Sequence, residues 1–116
     1  MSSIVKIVKL SGILNSVSVN QLRREISDLV ESGANIVLVD FQNVTFMNSS
    51  ALGALVSTLK AVRLAGADLF VCSLSDHVKF IFQLTKMDRV FKTFDNRDEF
   101  EQKVASKIKV ENCVSD

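Results

Sequence analysis

The stretch from Asn35 to Leu55 limits what this chain can fold into more than any other. Ile36-Val37-Leu38-Val39 is an unbroken β-branched and leucine run without alternation, the pattern of a strand covered on both faces, as in a parallel sheet between helices. Such a strand belongs at the centre of a domain. From Asp40 to Ser50 the sequence turns more polar and reads as a short loop. Beyond it, Leu52, Leu55, Leu59 and Val62 recur at three- and four-residue steps, which predicts a helix from about Ser49 to Ala65. Asn48, Ser49 and Ser50 stand where that helix begins, and each carries a side-chain oxygen able to accept from the free amides of a first turn. A pair of hydroxyls at a helix N-terminus is the chemistry this stretch offers.

The rest of the chain alternates in kind. Ile4 to Leu10 mixes β-branched residues with Lys6 and Lys9, which fits a strand near a sheet edge. Ser11 to Asn15 reads as a turn, and Ser18 with Gln21 as a capping box. Val19, Leu22, Ile26, Leu29 and Val30 then share one helical face, with Gly33 placed to end the helix in a left-handed conformation. Gly66 does the same for the second helix. Asp68 to Ser73 is another buried-type strand, and Ser75 caps a helix whose apolar face holds Val78, Ile81, Phe82 and Leu84. Val90 to Phe94 is extended, and Asp95 or Asn96 caps a last helix carrying Phe100, Val104 and Ile108.

Alternation from start to finish predicts one α/β domain over residues 1–109 with a frayed tail at 110–116. The expected sheet is mixed but mostly parallel, of four to five strands, with about four helices. In open sheets of this class functional loops gather beyond the carboxyl ends of the strands, where Asp40 to Ser50 lies.

Composition removes several classes of function. At 116 residues there is no room for a second domain, and no stretch approaches the ~20 apolar residues of a membrane span. The N-terminus lacks a signal-peptide layout, so a cytoplasmic location is expected. Fourteen basic and thirteen acidic side chains are dispersed and give no footprint for nucleic acid. Cys72 and Cys113 have no nearby Cys or His to complete a metal set. His77 is the single histidine, no serine sits in a Gly-x-Ser-x-Gly elbow, and no glycine-rich phosphate cradle appears. No catalytic residues, metal or cofactor are therefore expected.

Asp40 to Gly53, reading Asp-Phe-Gln-Asn-Val-Thr-Phe-Met-Asn-Ser-Ser-Ala-Leu-Gly, resembles the signature of STAS domains, the fold of bacterial anti-sigma factor antagonists. There an aspartate ends the strand, a Val-x-Phe-Met/Leu segment follows, and Asp-Ser-Ser/Thr-Gly-Leu comes next. Asn48 stands at the second aspartate and Ala51 at the glycine. The resemblance implies that Ser50 is phosphorylated by an anti-sigma factor with ATP-dependent serine kinase activity. Unmodified protein binds that factor and frees the sigma factor; phosphorylated protein does not, until a serine phosphatase restores it. The implied partner face comprises Asp40, Asn43, Thr45, Met47, Asn48, Ser49, Ser50 and Leu52.

Each of these residues also has a plainer reading. Ser49 and Ser50 could simply cap the helix, and the domain would then be a constitutive interaction module or scaffold subunit of a larger signalling or transport complex. Asp40 could be a phospho-accepting carboxylate, but Ser11 and Gly12 stand where a magnesium-binding acidic pair would be needed, so it reads as a loop-ordering acceptor. Phe46 is expected to be buried, while Met47 could plug the core or anchor a partner. A free edge at Ile4 to Leu10 would permit weak homodimer pairing, which the lysines discourage.

Overall fold

The computed structural model describes residues 4–103. Four strands form one sheet in the order β1-β2-β3-β4: β1 Val5–Leu14, β2 Ile36–Met47, β3 Asp68–Cys72 and β4 Lys92–Phe94. Every described pairing is parallel, in keeping with the mostly parallel sheet of four to five strands expected. Helices α1 Ser16–Glu31, α2 Ser49–Leu64 and α3 Asp76–Leu84 connect successive strands, a 3-10 turn spans Met87–Arg89, and α4 Arg97–Lys103 follows β4. Val104, Ile108, the tail and the 109/110 boundary lie outside the described residues.

Parallel connections cross over right-handedly, so strands laid down in sequential order collect their helices on one face. The core agrees. Val19, Leu22 and Ile26 of α1, Leu52, Leu55, Leu59 and Val62 of α2, and Val78 and Phe82 of α3 share one buried cluster with Val37, Val39, Leu69 and Val71 of the sheet. On the opposite face Val5, Ile7, Leu38 and Cys72 pack with Phe100 of α4, whose ring lies 5.9 Å from Phe70 and 5.5 Å from Phe94. Both faces of β2 are thus covered, as its continuous apolar run requires.

The local signals hold at several places. Gly33 and Gly66 take φ of 110° and 85°, and the Ser75 side chain accepts from the Val78 amide. Three expectations change. Asn15, not Ser18, caps α1, accepting from the Ser18 amide at 3.0 Å while the Asn15 amide donates to the Ser18 hydroxyl at 2.9 Å. Asn wins because α1 begins at Ser16, which puts Ser18 at the third helical position. Leu84 is exposed, because α3 ends there and its buried stripe is narrow, Val78 and Phe82 alone.

The third change shapes the site. Residues 11–14 and 40–47 are not turn and loop but strand, extending β1 and β2 to ten and twelve residues. The surplus on β2 lies in two bulges. Lys9 pairs with Asp40 but Ser11 with Asn43, and Gly12 pairs with Val44 but Ile13 with Phe46. Each bulge resets the in–out alternation. The β2 residues in the helix-side core are therefore Val37, Val39, Phe41, Val44 and Met47, at steps of two, two, three and three.

Candidate protein-interaction site

The second bulge decides which of two neighbouring side chains reaches the surface. Met47 is fully buried, whereas Phe46 is 44% exposed and its ring stacks on His77 of α3, centroids 4.8 Å apart and planes 19° from parallel. This reverses the expectation for Phe46, since the unpaired Thr45 shifts the alternation by one residue. Ile13, in register with Phe46 on β1, is 64% exposed, and Val17 in the first turn of α1 is 66% exposed.

Where β2 ends, the Asn48 amide donates to the Leu14 carbonyl at 3.3 Å and ties the two strand ends together. Asn48 is the N-cap of α2, its Oδ1 accepting from the Ala51 amide at 2.8 Å, and its own carbonyl accepts from the Leu52 amide at 3.2 Å. Ser49 and Ser50 therefore open the helix without capping it. Both are exposed, and neither hydroxyl makes a hydrogen bond among the described residues. Ala51 is helical and buried, a position in which a Cβ is useful and glycine is not needed.

Asp40 is 1% exposed, and its Oδ1 accepts from the Gln42 amide at 2.8 Å, ordering the chain at the first bulge. It lies in an open cleft also lined by Ser73, Asp95 and Arg97. Burial pushes the neighbouring Cys72 thiol up to about 11; a hydrogen bond with Ser73 works against this and the Asp40 charge adds to it. No group of three or more His, Cys, Asp or Glu able to hold a metal occurs among the described residues.

Of the eight residues expected on the partner face, Asn43, Thr45, Ser49 and Ser50 are exposed and Asn48 is half-buried. Met47 and Leu52 belong to the helix-side core and Asp40 is enclosed, so these three shape the surface from beneath instead of forming it. Ile13, in the Ser11 to Asn15 segment that is also expected to border this face, is exposed beside them, whereas Val17 and His77 have no place in that expectation. The available signal was Ile13 and Val17 standing in polar surroundings, Ser-Gly-Ile and Ser-Val-Ser, with no helical or strand period to bury them.

Residues 2–100 match the STAS domain. The chain belongs to the STAS domain family. Among its relatives, the anti-sigma-B factor antagonist of Staphylococcus aureus is 31% identical over 78 residues, covering 67% of this chain and 72% of the relative. The solved structure of the anti-sigma factor antagonist SpoIIAA of Bacillus in its unphosphorylated form superposes with a TM-score of 0.67 at 19% identity, over 84% of this chain and 87% of that one. Its phosphorylated form gives a TM-score of 0.60 at 18% identity, over 82% and 87%. The STAS domain of a SulP transporter from Vibrio cholerae has the same fold, with a TM-score of 0.70 at 11% identity over 89% and 80%. In this STAS domain the exposed serine pair and the apolar side chains of Ile13, Val17 and Phe46 lie together at the carboxyl end of β1 and β2. No helix among the described residues is long and apolar enough to cross a membrane.

Proposed function

We propose that this STAS domain is an anti-sigma factor antagonist: a cytoplasmic, non-enzymatic module that binds an anti-sigma factor with serine kinase activity and is released from it by phosphate on Ser50. The observation that carries the reading is the division of labour at the start of α2. Asn48 supplies the cap, which leaves the Ser50 hydroxyl exposed and without a structural bond. The relatives named as antagonists, one of them solved with and without phosphate, support the same reading.

The energetics suit a switch. A phosphate adds about −1.5 to −2 charges, and at a helix N-terminus the free amides and macrodipole favour an anion by up to ~2 kcal/mol, so the fold tolerates it. Pressed against a partner that excludes water, the same charge costs several kcal/mol unless it is paired. Each ~1.4 kcal/mol is a tenfold loss of affinity, enough for one phosphate to dissociate a micromolar complex.

Asn48 and Ala51 favour a second reading. With an amide in place of a carboxylate beside the serines, the domain would be a constitutive interaction module in which Ser50 is never modified. The two readings separate on Ser50→Asp, measured by co-purification from the native cell beside a thermal melt. Loss of partner with an unchanged melt supports the switch; equal recovery with wild type and Ser50→Asp supports the constitutive module.

A further inference from the structure

We infer that the docking face of this domain is the uncharged β1–β2 half of the sheet's carboxyl end, and that it receives an apolar, uncharged protein surface; this deepens the antagonist reading by specifying the partner's chemistry. Residues 10–22 and 41–59 contain no Asp, Glu, Lys, Arg or His. All 14 basic and 13 acidic side chains of the chain lie elsewhere. These two runs are the second halves of β1 and β2 and the first halves of α1 and α2, so the fold brings them to one pole. Their exposed positions carry Ser, Gly, Asn, Gln and Thr around three large apolar side chains, Ile13, Val17 and Phe46. Ionisable residues at this pole follow β3 and β4 instead, at Asp76, His77, Asp95, Arg97 and Asp98, with the His77 ring stacked on Phe46 at the border of the face.

Solvent-facing helix turns ordinarily use charge for solubility, and a stretch this long at 23% charged residues would carry about seven. A surface that omits all of them is suited to being dried, since only apolar and hydrogen-bonding groups can be covered without the cost of stripping water from ions. Ser50 lies inside the uncharged area. Its phosphate would be the single ion on that face, and would act by resisting desolvation, without needing an acidic partner surface to repel it.

The test is photo-crosslinking in extracts of the native cell. A benzoylphenylalanine replaces Ile13, Val17 or Phe46 in turn, with Glu25 and Lys60 as control positions on the charged flanks of α1 and α2. Washed extracts are irradiated at about 0.05 M and about 0.5 M salt, the higher value cutting the screening length to roughly 4 Å. Adducts to another protein from positions 13, 17 and 46, weak or absent from 25 and 60, and changing less than about twofold with salt, are expected. Four results overturn the inference: no adduct from the three positions in chains that melt normally, adducts as strong from positions 25 and 60, a fall beyond about twofold at high salt, or an adduct of twice the chain's mass, which would make the occupant a second copy. Ser50→Asp in the same chains tests the switch separately, because a salt-insensitive adduct that survives it upholds the uncharged face and overturns phosphorylation control.

Discussion

Asn48 Oδ1 accepts the Ala51 amide at 2.8 Å, and this single bond releases the adjacent serines from structural duty. A helix start needs a side-chain acceptor at its N-cap, and Asn is among the best. With that need met two residues earlier, Ser50 is free to be covered by a partner or modified without loss of fold.

Substitutions at the two positions should therefore differ in their cost. Asn48→Ala is expected to lose about 1 kcal/mol of unfolding free energy, and Ser50→Ala less than about 0.5 kcal/mol. Urea denaturation of both variants beside wild type measures the contrast. Equal losses would mean that the serine shares the cap.

Phe46 stands at the surface against His77 and should matter more for binding than for folding. Phe46→Ala is expected to change stability by about 1 kcal/mol or less while weakening the partner at least tenfold, or ~1.4 kcal/mol. Calorimetric titration with the co-purified partner, paired with a melt, checks both halves.

Gly66 takes a φ of 85° where α2 turns into β3, and a Cβ there would meet no atom within 4 Å. The cost of Gly66→Ala is then conformational alone, about 1 kcal/mol. Denaturation midpoints should show it without any change in denaturant slope.

Cys72 links stability to alkaline pH. Its thiol is raised from 9.0 to about 11 by burial, so the unfolded chain releases that proton first. The stabilisation is full below about pH 9 and is lost as pH rises through about 11. Native protein at pH 8 should leave Cys72 unlabelled by iodoacetamide, as peptide mass mapping would read, and label it once unfolded.

The sequence announces the β2 core, the α2 period, the glycine stops at 33 and 66 and the Ser75 cap, because each is a local preference that the tertiary fold upholds. The signature at Asp40 to Gly53 lies at the carboxyl end of β1 and β2. What it does not display is pairing. That residues 40–47 are strand depends on β1 running alongside, and that Phe46 faces out while Met47 faces in depends on a bulge at Thr45 fixed by the register with Gly12 and Ile13. Asn48 was legible as one of three caps, but only the end of β2 decides which of the three takes the role.

The most direct measurement is intact-mass spectrometry of the protein purified from its native cell, before and after phosphatase treatment, with the site mapped by peptide fragmentation. The switch predicts a phosphatase-sensitive fraction heavier by one phosphoryl group, located on Ser50 and absent from Ser50→Ala. Full coverage of the Ser49–Ser50 peptide with no phosphate under several growth conditions would contradict it and leave the constitutive module in its place.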